Sequence, residues 1–404
     1  MKENELVIRS QVRARAICIC ICFLALCFAL ASASLAAEEK KPPPRSDYVG
    51  DSVCGACHQQ KAQTYIQTAH HQASSWPSPR TMKGSFTPGS NVLKTSNPYL
   101  TFEMTVNEHG YFQSAVEQLS PTKKISRTER IDVVAGLARK GQSYLFWKAD
   151  QLFQLPVTYW TATDSWVNSP SYPDGSPHFD KDIIPRCLEC HASYFEWLQP
   201  SINRYRKTSL VLGIFCEKCH GPGREHVALH RAQFPPSPGI GEKIVNPAAL
   251  ARDRQIDLCG LCHSGNGTPI RPALSFLPGD ALDDYIDIPY LAPEDAVDVH
   301  GNQVQLLKRS KCFQSTTSMT CSTCHDAHKP QLDAAAFSPH CLSCHQPRQC
   351  GEYAKMGDQI TRNCIDCHMP LQDSRVLFSN TGGRKLTPKV RNHRIAIYAG
   401  ESTH

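Results

Sequence analysis

Methionine is scarce in this 404-residue chain, with only six, and aromatic residues make up 8%. The mature part has no long apolar run, which excludes a bundle of membrane-spanning helices. Basic and acidic residues are nearly balanced, and no basic run with interleaved aromatics occurs, so nothing favours nucleic-acid binding. What the chain has in excess is cysteine and histidine, 20 and 18 copies, beside 23 Gly and 29 Pro. Such a protein needs a source of apolar surface other than Leu, Ile and Val.

Residues 1–37 read as an export leader. Arg9, Arg13 and Arg15 precede an apolar run from Ala16 to Leu30, and Ala31 to Ala37 is rich in small residues. Cleavage near Ala36 or Ala37 would leave a polar, proline-stiffened start. The alternative is an uncleaved membrane anchor, because the apolar stretch approaches the length of a span. The net charge is +6, and the leader holds four basic and two acidic residues, so the mature polypeptide is about +4.

The pentapeptide Cys-x-x-Cys-His occurs seven times. The copies pair Cys54 with Cys57, Cys187 with Cys190, Cys216 with Cys219, Cys259 with Cys262, Cys321 with Cys324, Cys341 with Cys344 and Cys364 with Cys367. The histidines that close them are His58, His191, His220, His263, His325, His345 and His368. Two cysteines three positions apart share one helical turn and can form thioethers with the two vinyl groups of one haem. The following His then reaches the proximal iron position. Zinc sites and disulfide frameworks use paired cysteines too, but neither needs a His after every second Cys. The expectation is seven covalently bound haem c groups, whose propionates the basic polypeptide offsets.

Fourteen cysteines serve the motifs, and Cys18, Cys20, Cys22 and Cys27 fall in the leader. Cys312 and Cys350 remain, and in an oxidising compartment they are expected to form a disulfide; two free thiols are the alternative.

A low-spin haem takes a second axial ligand, usually His or Met. With Met scarce, bis-His ligation follows. His70 or His71 lies about one helix beyond the first motif. His226 and His230 are four apart and share a helix face. His300, His328 and His393 complete the set of expected distal ligands. His178 and His340 are evenly balanced between ligation and a propionate hydrogen bond. His109, in a strand-like stretch, and terminal His404 are read as non-ligands.

Successive motifs start 133, 29, 43, 62, 20 and 23 residues apart. The long first gap carries alternating apolar and β-branched runs: YLTFEMTV, YFQSAVEQL, RIDVVAGLA, SYLFWKA and LPVTYW. The expected fold is therefore a mainly α and irregular multihaem cytochrome fold, with short helices and loops around stacked haems and an inserted small antiparallel β unit. Its segments are 1–37, the leader; 38–80, the first haem segment; 81–184, the β-rich insert; and 185–404, a six-haem domain.

The stretches GIFCEKCHGPGREHV (213–227), VHGNQV (299–304), MTCSTCHDAH (319–328) and NCIDCHMP (363–370) resemble the cytochrome c-554-like multihaem family, including its members with doubled motifs. The resemblance is most specific over 185–395. It implies a periplasmic or outer-surface bis-His electron carrier, some such proteins being linked to nitrogen- or sulfur-compound metabolism. It also implies that His226, His328 and His393 are distal ligands.

Two functions are consistent with this reading. One is electron transfer between other redox proteins, such as quinol-linked or periplasmic carriers, with membrane association only through a partner or an uncleaved leader. The other is a multihaem oxidoreductase with one open iron, acting on a small nitrogen or sulfur oxyanion. No Cys-x-x-Cys-Lys variant, used by some reductases, is present.

Overall fold

The computed structural model describes residues 40–137, 139–232, 237, 242–292, 294–331 and 333–398. The leader and His404 lie outside the described residues.

The alternating runs form strands where the period of two places them. In β3, Leu100–Asn107, the side chains of Leu100, Phe102 and Met104 are buried while those between are only partly covered. This strand lies between β2 (Val92–Lys94) and β4 (Gly110–Ser120), and β5 (Lys123–Arg130) completes a four-stranded antiparallel meander.

A second, seven-stranded sheet stands beside it. Its spine runs β1 (Ser74–Ser75), β6 (Val133–Ala135), β7 (Gly141–Lys148), β8 (Gln151–Gln154) and β11 (Lys181–Asp182). One end of β7 pairs instead with β9 (Val157–Trp160), which pairs with β10 (Ser165–Asn168). Strand pairing thus reaches outside 81–184: Ser74–Ser75 joins Val134–Ala135.

Both faces of this sheet are covered. Val134, Tyr144, Phe146 and Val157 pack with Leu100, Phe102 and Met104 of the meander to form one apolar core. Their neighbours Val133, Leu145 and Leu152 point the other way and pack against Leu188, inside the second Cys-x-x-Cys-His motif, and against Leu210 and Leu212. A register slip of one residue would exchange these two faces, so the sheet's pairing fixes where the second motif rests.

Gln113 ties the two sheets together. Its buried amide donates to the carbonyl of Val157 at 2.8 Å and accepts from the N–H of Val157 at 3.1 Å. The sheets also reach the C-terminal region. The N–H of Asn168 donates to Thr381 Oγ1 and its amide to the carbonyl of Asn380, in a hairpin of Ser379–Thr381 and Arg384–Leu386.

The seven motifs lie outside the two large sheets, on short helices and turns joined by loops. The helices range from four residues, Lys311–Gln314, to twelve, Arg252–His263. No helix among the described residues is long and apolar enough to cross a membrane.

Replacing Gln113 with Leu would leave both backbone groups of Val157 buried and unpaired. The expected cost is about 2–4 kcal/mol, read as a lowered denaturation midpoint, with haem content unchanged.

Candidate haem-binding centre

Each motif occupies a single turn. The first lies on the helix Asp51–Cys57, the second on Pro185–His191, the third on Cys216–His220 and the fourth at the end of Arg252–His263. The fifth is the 3₁₀ turn Cys321–Thr323, the sixth begins within Ser338–Leu342, and the seventh is Cys364–His368. The cysteines of each motif are at least partly exposed, as thioether formation requires.

Four motif histidines face a second imidazole. Ring centroids are 6.3 Å apart for His58 and His226, 6.2 Å for His70 and His263, 6.0 Å for His220 and His328, and 6.3 Å for His325 and His393. A metal held between two imidazoles, each nitrogen about 2 Å from it, places ring centres roughly 6 Å apart. The spacing therefore fits an iron with two axial histidines.

The outward ring nitrogens fit the same arrangement. His220 Nδ1 is 2.9 Å from the carbonyl of Val245, and His368 Nδ1 is 2.9 Å from that of Ala396. His191 Nδ1 lies 3.3 Å from the carbonyl of Ala73. His325 and His263 meet the amide oxygens of Gln331 and Gln303 at 2.7 and 3.4 Å. On the distal side, His226 and His393 use Nδ1 on the carbonyls of Glu242 and Arg391, at 2.7 and 3.1 Å. A ring that donates through Nδ1 has its tautomer fixed and presents Nε2 to a metal.

Burial favours the neutral form of five of the histidines. It lowers the pKa of His70, His191, His263 and His328, and pushes that of His393 down to about 4.

The two ambiguous neighbours separate. His70 faces His263, whereas His71 turns the other way, with Nε2 3.3 Å from Asp51 and its ring stacked on Phe215 at 4.9 Å. Gly213 allows this crossing. It adopts φ +83°, and a Cβ there would collide with the carbonyl of His71. His226 and His230 also divide: His230 directs Nε2 to the Glu242 carboxylate at 2.8 Å, while His226 faces His58. A ring nitrogen of each and the carboxylate lie within 4.8 Å of one another.

The remaining histidines are placed differently. Among the described residues, no second imidazole faces His191, His345 or His368 across a comparable gap. The backbone N–H of His300 donates to Asp298 Oδ1, and burial lowers the pKa of its ring. His178 lies 3.6 Å from Asp180, and His109 lies exposed beside Glu108. Cys312 and Cys350 are free thiols in the structure. Cys312 neighbours Cys324 and Cys341, and Cys350 neighbours Cys367.

Two acidic residues in or beside the motifs support them. Buried Glu217, inside the third motif, accepts from the N–H groups of Val49, Gly50 and Gly223 at 2.7–2.8 Å. Asp51 accepts from the N–H of Cys216 at 2.9 Å. Burial alone would raise the Asp51 carboxyl, but hydrogen bonds from His71 and Cys216 prevail and hold it below its ordinary range. Together these two carboxylates clamp the first motif to the third. Their only sequence signal is an acidic residue inside or next to a motif.

Residues 143–221 match the family model described as cytochrome c554 and c-prime. Over that segment, about a fifth of the chain, the sequence is similar to this cytochrome family. The family match begins within β7 and ends just past the third motif, so it takes in strands and haem-binding turns together. The chain's fold is similar to the crystal structure of the outer cell wall cytochrome OcwA. Identity is 17%, the alignment covers 86% of this chain and 79% of that one, and the TM-score is 0.53. An undecahaem cytochrome from the S-layer of Carboxydothermus ferrireducens aligns at 15% identity, over 91% of this chain and 54% of that one, with a TM-score of 0.41. No curated protein matches by sequence. The cysteines and histidines of the seven Cys-x-x-Cys-His motifs would hold haem c covalently, and it would supply one-electron chemistry at iron.

Substituting His226 with Gly should expose one iron and add one high-spin ferric signal to the paramagnetic resonance spectrum. His71→Phe, which keeps a ring on Phe215, should add none.

Proposed function

We propose that this protein is an exported seven-haem electron carrier that passes electrons between redox proteins through bis-His haems. The observation that supports it best is the set of four imidazole pairs at 6.0–6.3 Å. A sixth position filled by His blocks substrate and leaves the iron able only to gain or lose an electron.

In this reading His58, His191, His220, His263, His325, His345 and His368 are the proximal ligands. His226, His328, His70 and His393 complete the first, third, fourth and fifth haems. His300 is left as the distal candidate for a haem whose motif histidine faces no second imidazole. His71 and His230 hold carboxylates rather than iron. The protein's contribution is positional. Backbone carbonyls and glutamines orient each ring, the buried surroundings exclude water, and Glu217 and Asp51 fix neighbouring motifs against each other.

Export is supported by the leader-like first 37 residues and by the cell-wall location in the name of the similar cytochrome OcwA. The proposal includes a Cys312–Cys350 disulfide formed after export. Thiol titration of the denatured, unreduced holoprotein should find no free thiol; two per chain would exclude the bridge.

Pyridine haemochrome analysis should return seven haems per chain. Electron paramagnetic resonance during a redox titration should show low-spin signals that disappear reversibly. A high-spin ferric centre that rapidly binds nitrite, hydroxylamine or cyanide would instead indicate an oxidoreductase with an open iron.

A further inference from the structure

Three motifs carry an acidic residue between their cysteines: Glu189 in the second, Glu217 in the third and Asp366 in the seventh. The two glutamates are buried. Each lies where its motif packs on another. The helix Cys216–His220 of the third motif rests on Asp51–Cys57 of the first, and Pro185–His191 of the second rests on Arg252–His263 of the fourth.

The two junctions are held by charges of different sum. At the first–third junction the partners of Glu217 are the backbone N–H groups of Val49, Gly50 and Gly223. Asp51 adds a second carboxylate, bound to the N–H of Cys216 and to the ring of His71. Neither carboxylate is in an ion pair with Lys or Arg among the described residues.

At the second–fourth junction a guanidinium answers the carboxylate. Arg186 Nη1 donates to Glu189 Oε2 at 2.9 Å, and Glu189 Oε1 accepts from the N–H of Leu274 at 2.9 Å. Only 13% of the Arg186 side chain is exposed. Its Nη2 crosses to the fourth motif and donates to the carbonyl of Leu261, which lies between Cys259 and Cys262. Its Nη1 also lies 3.4 Å from Cys190 Sγ, the atom that would carry a thioether of the second haem. Lys218 lines a small cavity with both Glu217 and Leu274, so its charge lies between the two junctions.

Reduction adds one negative charge to a haem. A buried cation nearby favours that electron and a buried anion opposes it, and salt screens neither well. Arg186 touches both of its motifs through a carbonyl and a sulfur, so it acts on position and on charge together.

We propose that Arg186 is a positioning residue that fixes the second motif on the fourth and holds the potential of the fourth haem above that of the third. This deepens the carrier reading and rests on it. Electrons entering the protein would settle at the fourth haem before the third. These two haems are the fair comparison, because the motif histidine of each faces a second imidazole, His70 for the fourth and His328 for the third. A difference between them then comes from their surroundings rather than from their ligands.

Nuclear magnetic resonance of the holoprotein during stepwise chemical reduction reads each haem separately. When the fourth haem is half reduced, the ratio of reduced to oxidised third haem should be smaller by roughly tenfold. A third haem that fills first, or together with the fourth, would overturn the proposed order. Arg186→Gln should make the second and fourth haems harder to reduce, and unchanged potentials there would remove Arg186 from the account. Arg186→Lys keeps the charge and should restore most of the shift, whereas a role in packing alone would leave the two variants alike. Glu217→Gln should make the third haem easier to reduce and bring it towards the fourth. If Arg186→Gln fails to take up haem, the order in the unmodified protein and the Glu217→Gln shift decide. The carrier reading fails in a different way: high-spin irons that bind nitrite would end it, while a reversed order of potentials would leave it intact.

Discussion

A pair of imidazoles facing each other across about 6 Å is the constraint on which the haem-bearing region depends. Each such pair joins segments far apart in the chain: His58 to His226, His70 to His263, His220 to His328, and His325 to His393. On the proposed reading an iron between the two rings would bind both, so folding and haem ligation would be linked. Each pair would also close a long loop, whose entropy the ligand bonds would offset. Ligation would then do the work that long apolar helix faces perform elsewhere, in keeping with the short helices here.

The sheets act as the rigid counterpart. Their apolar core closes through Leu100, Phe102, Met104, Tyr144 and Phe146. The opposite face of the seven-stranded sheet offers Val133, Leu145 and Leu152 as a bed for the second motif. Asn168 extends the same platform to the C-terminal hairpin. One sheet therefore fixes the second motif directly and holds the hairpin that follows the seventh motif.

Much of this was legible in the sequence, for reasons of chemistry. Thioether attachment fixes the spacing of two cysteines and a histidine, so the motifs announce themselves. Alternation in YLTFEMTV marks the inward positions of Leu100–Asn107 because a strand has a period of two. The choice between His70 and His71 had no such basis. The residues are adjacent, and what separates them is the distant Asp51 and Phe215 around His71. Likewise His226 and His230 share a helix face, and Glu242 divides their roles. The contact of the first motif with the third was also hidden. It depends on Glu217 reaching Val49 and Gly50 across the fold, and no local pattern encodes that.

A structure of the haem-loaded protein tests the central claim most directly. The account predicts an iron between His58 and His226, His70 and His263, His220 and His328, and His325 and His393. An iron at any of these four motifs whose sixth position is open, or is filled by a different residue, would contradict it.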